Sequence, residues 1–143
     1  MNQKHNYLVK DGFDQMDFDK VRDMLKKVFW SIDIKKEEII QGAKNSALLV
    51  GVFNSYEQIG FARVISDKTR FAYIMDVVVH ENYRQQGIGQ LMIKYILSHP
   101  ELKDVYQWLL RTRDAHGVYK KVGFKSIGNP DEWMEIMYNR PQR

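Results

Sequence analysis

A nearly continuous apolar run, followed by a glycine-bearing turn, constrains the fold of this chain more than any other feature. Residues 71–79 read Phe-Ala-Tyr-Ile-Met-Asp-Val-Val-Val, with one charged side chain among them. A run without polar alternation predicts a central strand that is covered on both faces. Beyond the turn, helical spacing relates the apolar residues Ile88, Leu91, Met92, Tyr95 and Ile96. A buried strand, a turn and an amphipathic helix in this order indicate an α/β protein.

The other segments predict a mixed sheet of roughly six to seven strands, flanked by about four helices and containing at least one parallel crossover. One helix is expected after the cap Asp17, and a second over 35–41, ended by Gly42. A short helix over 114–122 is ended by Gly123. Strands other than 71–79 are expected at 47–53, 58–65, 105–110, 124–127 and 133–138.

Length and composition limit the classes of protein. A chain of 143 residues fits one domain spanning 1–143, and 44% hydrophobic residues can form a core. Without cysteine there is neither a disulfide nor a thiolate metal site, and no apolar stretch approaches the roughly 18 residues of a membrane span. We therefore expect a cytoplasmic protein that binds no metal. The net charge of +4 is spread among acidic residues, which does not favour nucleic-acid binding.

The turn between the buried strand and the next helix predicts an anion site. The first N–H groups of a helix lack intrahelical partners, and the helix dipole adds about half a positive charge there. Gly87 and Gly89 allow the main chain to approach a ligand, and Arg84 adds a mobile positive charge. The dinucleotide fingerprint is incomplete because Met92 stands at its third glycine, and no P-loop sequence is present. What remains is R-x-x-G-x-G, Arg84 to Gly89.

A second motif lies further along the chain, A-x-x-x-Y-x-x-x-G-F from Ala115 to Phe124. Together, V-x-x-x-x-R-x-x-G-x-G and this later pattern resemble the GNAT superfamily of N-acetyltransferases, over roughly residues 71–124. The resemblance implies a GNAT-like fold and acetyl-CoA as co-substrate. It implies an acyl-CoA-dependent enzyme that transfers an acetyl group to a primary amine by direct attack.

The same resemblance assigns site residues. It implies that the turn grips the CoA diphosphate and that the strand before it offers main-chain groups to the pantetheine arm and thioester. Tyr119 is expected to protonate the departing thiolate, a role suited to a phenol. Thr112 stands where the family often carries Asn, and its hydroxyl can still bond a pantetheine amide. The expected cofactor-binding residues are Val77, Val78, Val79, Arg84, Gln85, Gln86, Gly87, Ile88, Gly89, Gln90 and Thr112.

Three questions stay open in the sequence. Asp76 is a candidate base that receives the amine proton through water, or a carboxylate that pairs with a nearby arginine. The protein is an enzyme acting on a small-molecule or peptide amine, or a catalytically idle acyl-CoA-binding or sensor module. A homodimer is also open, because exposed strand edges are expected near the C-terminus.

Overall fold

The computed structural model describes residues 6–142, which form a mixed sheet with helices on both faces. The strands follow one another in space as they do in the chain, in the order β1-β2-β3-β4-β5. All neighbouring pairs are antiparallel except β4 and β5, which are parallel. The strands are β1 (Leu8–Asp11), β2 (Leu48–Asn54), β3 (Glu57–Ser66), β4 (Phe71–Val79) and β5 (Gln107–Leu110). The helices are α1 (Phe18–Leu25), α2 (Lys36–Lys44), α3 (Ile88–Leu97) and α4 (His116–Lys120).

The core has two layers, one on each face of the sheet. Helix α3 packs on one face, where Met92, Ile93 and Ile96 are fully buried against strand residues. Helices α1 and α2 pack on the other face, where Val21 and Leu25 are fully buried beside Phe61. Burial of large apolar side chains, each worth roughly 1.5–3 kcal/mol, stabilises both layers. The prediction that β4 is covered on both faces is confirmed.

A buried polar side chain joins α1 to the sheet. Gln58 has no exposed surface; its Oε1 accepts from Asp17 N at 2.8 Å, and its Nε2 donates to Gly60 O at 3.0 Å. Asp17 also caps α1, since its carboxylate accepts from Lys20 N. A Cβ on Gly51 would lie 2.8 Å from Gln58 Nε2, so glycine is needed there for the amide to fit. This arrangement fixes the start of α1 against β2 and β3.

Two element predictions need correction. The sheet of the described residues has five strands, not six or seven: 124–127 and 133–138 form no strand there, and β1, for which no strand was predicted, joins the sheet. Their apolar pattern is suited to a strand, but neither segment forms strand pairing within the described residues. Helix α2 also continues through Gly42 to Lys44. Gly42 does not end the helix; it gives room to Arg63, whose guanidinium carbon lies 3.4 Å from where a Cβ would stand.

Strand β4 separates from β5 part of the way along its length. The parallel pairing runs from Phe71 to Ile74, which lies opposite Leu110, the last residue of β5. Past this point, among the described residues, Met75 to Val79 have no strand on the β5 side. On the β3 side, the register shifts where Asp76 takes a φ of 56°. The shift is a β-bulge, which bends a strand.

No helix of residues 6–142 combines the length and apolar character that a membrane crossing requires.

Candidate functional site

The turn after β4 is shaped by two residues with positive φ, Gln85 at 63° and Gly87 at 78°. Gly87 is the N-cap of α3, and the left-handed conformation that it adopts favours glycine. The first hydrogen bond of the helix runs from Leu91 N to Gly87 O at 2.9 Å. The N–H groups of Ile88, Gly89 and Gln90 precede it and therefore have no acceptor within the helix. The predicted group of free amides is present at this end of α3.

The space next to the two turn glycines is open. A Cβ built on Gly87 or Gly89 would meet no heavy atom within 4 Å. Gly87 needs its glycine for backbone conformation, whereas Gly89 lies in ordinary helical conformation and leaves its amide approachable. Free N–H groups, the positive end of a helix dipole and an open approach fit a diphosphate.

Two residues from distant parts of the chain, Tyr7 and Asn54, contact this turn. Tyr7 Oη donates to Gln86 Oε1 at 2.7 Å, across 79 positions of sequence. Asn54 Nδ2 donates to Tyr83 Oη at 3.0 Å, and the rings of Tyr7 and Tyr83 meet edge to face at 5.9 Å. Sequence reasoning missed these supports, since no local pattern links the residues before β1 to the turn. They connect the turn to the residues before β1 and to the end of β2.

Positive charge surrounds the turn on its α1 side. Arg84 is exposed, and its Nε donates to Val79 O at 3.3 Å. It borders a cavity of about 260 Å³ between α1 and the end of β4. The charged residues around this cavity are Lys20, Lys26, Lys27 and Arg84, with Asp23 and Glu81. Four cations against two carboxylates make the local potential favourable for an anion.

The other predicted residues lie on both faces of the sheet. Val77 and Val79 pack partly buried against the core on the α3 face, as does Tyr119 of α4. Val78 is buried on the opposite face, against α1 and α2. Their main chain runs along the part of β4 that has left β5, so its groups border the gap. Tyr119 and Thr112 line a separate cavity, whose lining residues all lie between Leu97 and Gly128.

Tyr119 is held in apolar surroundings. Its ring meets that of Phe124 edge to face at 6.1 Å. Burial, and secondarily the negative charge of Asp114, raises the pKa of the Tyr119 phenol above its usual value of 10.0. Both effects disfavour phenolate, so the hydroxyl is protonated and able to donate a proton at neutral pH.

Thr112 lies in the loop before α4, and its side chain binds the main chain of that loop. Its Oγ1 accepts from Ala115 N at 3.0 Å. The hydroxyl hydrogen is not used in this contact, so Thr112 keeps one donor for another partner. With Tyr119 and His116 it borders a cavity of about 750 Å³ along the outer side of β5.

Asp76 is engaged in an ion pair. Its Oδ2 lies 2.7 Å from Arg63 Nε, and the exposed fractions of the two side chains are 13% and 16%. Arg63 also donates from Nη1 to Ser46 Oγ at 3.3 Å. The alternative that Asp76 pairs with a nearby arginine is therefore realised. Oδ1 is the oxygen that this ion pair leaves for another role.

Across residues 6–142, no three His, Asp or Glu side chains come together in a group that could hold a metal ion.

The five-stranded mixed sheet, with its splayed β4–β5 pair and glycine turn at the start of α3, defines a class of acyltransferase folds. Residues 44–126 match the family model described as the acetyltransferase (GNAT) domain. This range covers more than half of the chain and contains β2 to β5, the turn and α4. The chain belongs to the GNAT acetyltransferase family.

Individual relatives agree with this assignment. A protein from Xanthomonas campestris pv. campestris, assigned to the GNAT family, has a crystal structure that matches with a TM-score of 0.86 at 30% identity, over 93% of this chain and 94% of that one. The uncharacterised N-acetyltransferase ycf52 of Gracilaria tenuistipitata var. liui is 34% identical over 118 residues, 78% of this chain. The chain spans 57% of the length of that relative.

A more distant structure shows the same fold. A predicted acetyltransferase from Clostridium acetobutylicum, determined with acetyl-CoA, matches with a TM-score of 0.70 at 17% identity, over 92% of this chain and 96% of that one.

Proposed function

We propose that this protein transfers an acetyl group from acetyl-CoA to a primary amine by direct attack of the amine on the thioester. The observation that carries the proposal is the meeting of the open glycine turn with the gap in the sheet. The turn presents free amides to an anion, and the gap starts where β4 leaves β5 at Ile74. A long ligand with a diphosphate at one end and a thioester at the other suits this combination.

The binding role falls first on the turn. The main-chain N–H groups from Arg84 to Gln90 would hold the diphosphate, as free amides at a helix start do for anions. The hydrogen bonds from Tyr7 to Gln86 and from Asn54 to Tyr83 would help to position the turn for the ligand. Preorganisation of this kind lowers the entropic cost of binding.

Main-chain groups of Val77, Val78 and Val79 would extend along the pantetheine arm, and Thr112 would donate its hydroxyl hydrogen from the facing loop. Bound acetyl-CoA supplies a carbonyl carbon that is activated for nucleophilic attack. A strand N–H aimed at the developing oxyanion would then stabilise it, an effect often worth roughly 2.7–4 kcal/mol per donor. The chain has no cysteine, so the most reactive covalent nucleophile is absent.

Two side chains would handle protons. Tyr119 would protonate the departing sulfur; its phenol is kept neutral by burial and by Asp114. Asp76 would take the amine proton through a water at Oδ1, while Arg63 holds Oδ2. In support of this role, Asp76 lies at the bulge, two residues beyond the last β4 residue paired with β5.

Aromatic side chains lie on the acceptor side that we propose. The guanidinium of Arg113, from the loop before α4, lies 3.8 Å from the centre of the Phe29 ring. Phe29 also meets Trp30 edge to face at 5.1 Å. Because Arg113 already covers a face of Phe29, we propose that the cluster packs against the apolar part of an amine or peptide acceptor.

A thiol-release assay tests the proposal. The protein is incubated with acetyl-CoA and a panel of polyamines, aminoglycosides, amino acids and peptides, and free thiol is measured. We expect release that requires an amine and gives an N-acetylated product by mass spectrometry. Tight CoA binding by calorimetry, with no release on any amine, would instead support the idle binding or sensor module. Failure to bind CoA at all would overturn both.

A further inference from the structure

The cavity between α1 and the end of β4 contains positive charge that the surrounding residues do not neutralise. It measures about 260 Å³ and has four cations around it. Lys26 and Lys27 each pair with a carboxylate, at 3.9 and 3.1 Å. Within residues 6–142, Lys20 and Arg84 form no ion pair with a carboxylate. Two uncompensated cations therefore remain beside the turn.

The position of Lys20 is not explained by the stability of α1. Lys20 is half-buried and lies in the first turn of the helix, where the helix dipole disfavours a positive charge. Its main-chain N–H binds the cap Asp17, and that contact does not need a lysine side chain. The charge of Lys20 is therefore available to a partner outside the helix.

The donors that remain around the cavity suit a phosphate group. Arg84 donates from Nε to Val79 O at 3.3 Å, which leaves both terminal nitrogens for another acceptor. His80 Nδ1 accepts from Asn82 N at 3.1 Å, so the neutral ring carries its hydrogen on Nε2 and can donate it. Together with Lys20, three side chains around the cavity can donate to one anion.

The size of the cavity indicates a single group of a larger ligand. Its volume of about 260 Å³ is less than the roughly 300–1,000 Å³ of a cleft that encloses a whole small molecule. A phosphate monoester carries roughly −1.5 to −2 charges at pH 7 and has three acceptor oxygens. The two uncompensated cations balance that charge, and the three donors match the oxygens.

The cavity adjoins both parts of the proposed active site. Arg84 begins the turn that we propose for the CoA diphosphate. Val79 also lines the cavity and lies three residues beyond Asp76, about 10 Å along a strand. Asp76 lies on the same face of the sheet as the cavity, because its partner Arg63 lies against Gly42 of α2. A phosphate monoester can therefore reach the cavity from two sources, the ribose of CoA or an amine acceptor.

We propose that this cavity is a second anion site, separate from the free amides of α3, that binds a phosphate monoester through Lys20, Arg84 and His80. The site would hold the ribose 3′-phosphate of CoA or a phosphate carried by the acceptor amine. This inference rests on the proposed function, since it adds a contact to the same acyl-CoA and amine site. Binding measurements test it without any turnover, so its failure is separable from failure of the acetyl transfer.

Calorimetry with two matched pairs of ligands tests the site and identifies the source of the phosphate. One pair is CoA and dephospho-CoA, which lacks the ribose 3′-phosphate. The other pair is aminohexyl phosphate and aminohexanol, which differ in the phosphate alone. We expect the phosphorylated member of at least one pair to bind at least about tenfold more tightly. A preference in neither pair would overturn the inference.

Lys20→Gln connects the preference to this cavity. The substitution removes a cation from the first turn of α1, so we expect the preference to fall about tenfold while the free energy of unfolding stays equal or rises. Lys94→Gln is the matched control, because Lys94 is an exposed lysine on α3 that does not line the cavity. Its preference should equal that of the wild type. An undiminished preference in Lys20→Gln, or the same loss in Lys94→Gln, would show that the phosphate does not bind here.

CoA binding separates this inference from the proposed function. If CoA does not bind, but aminohexyl phosphate is preferred over aminohexanol and Lys20→Gln removes that preference, the anion site stands and the acetyl-CoA proposal fails. If CoA and dephospho-CoA bind equally and aminohexyl phosphate shows no preference, the acyl-CoA site stands and the anion site is wrong.

Discussion

Arg63 and Asp76 form an ion pair between β3 and β4, at the point where the pairing of the two strands shifts. From Phe61 to Arg63 the chain advances by two residues, whereas β4 advances by three, from Met75 to Val78. Asp76 takes up the extra residue with a φ of 56°. The bulge follows directly after the last β4 residue paired with β5, Ile74. We infer that the ion pair holds the bend that opens the proposed acyl-CoA gap.

Asp76→Asn separates the structural role of this carboxylate from a catalytic one. Asn tolerates positive φ and can still accept from Arg63, but it cannot take a proton. If Asp76 is the base, we expect kcat to fall about 100-fold, with an unchanged CoA dissociation constant. Urea unfolding measures the accompanying stability loss. If Asp76→Asn keeps the wild-type kcat and only lowers the free energy of unfolding, then Asp76 stabilises the bulge and is not the base.

Gly89→Ala tests the diphosphate site without straining the turn. Alanine favours helix over glycine by up to about 1 kcal/mol, so we expect equal or greater stability. The added methyl group would stand in the open space above the amides, and we expect CoA binding to weaken about tenfold, measured by calorimetry. Gly117→Ala is the matched control, a helical glycine whose Cβ also meets nothing within 4 Å. If Gly89→Ala and Gly117→Ala bind CoA with the same affinity, the diphosphate does not bind at the start of α3.

Tyr119→Phe removes the proposed acid and keeps the ring that packs on Phe124. We expect kcat to fall about 100-fold, with little change in CoA affinity. The pKa of Tyr119 is raised above 10.0, so the phenol of the wild-type protein stays protonated below that pH. We therefore expect the activity of the wild-type enzyme to fall only above pH 10.

The pH profile supplies a second readout for Tyr119. The charge of Asp114 disfavours phenolate, so Asp114→Asn would move the alkaline fall in kcat to lower pH. The fall should be missing in Tyr119→Phe. An identical alkaline limb in wild type and Tyr119→Phe would assign the tyrosine to packing.

Gln58→Met tests the buried amide that joins α1 to the sheet. Methionine keeps the length of the side chain but leaves Asp17 N and Gly60 O without their partner. We expect a loss of roughly 1–3 kcal/mol in the free energy of unfolding, measured by urea denaturation. Gln41→Met on the exposed side of α2 serves as the control and should change stability by less than about 0.5 kcal/mol. Similar losses in the two variants would contradict the role given to Gln58.

Local pattern was a good guide wherever the structure depends on neighbours in sequence. The run 71–79 predicted β4 with its bounds, and the spacing from Ile88 to Ile96 predicted α3. Asp17 was correctly predicted as a helix cap. The motif from Arg84 to Gly89, with that ending at Phe124, indicated the family to which the chain belongs.

Pattern was a poor guide wherever a residue serves a distant partner. Gly42 resembles a helix stop, yet it lies inside α2 and makes room for Arg63, which is 21 positions away in the sequence and brought close by the fold. Tyr7 gave no local signal of its bond to Gln86. Residues 133–138 have the alternation of a strand but no strand partner in the described chain.

The sequence by itself determined the elements from α1 to α4, the glycine turn and the family, because main-chain conformation and side-chain periodicity are set over a few residues. Tertiary structure alone decided which oxygen of Asp76 is engaged, what supports the turn, where the sheet opens and which apolar face stays uncovered. Those features depend on contacts between residues far apart in the chain, and such contacts exist only after the layers have packed.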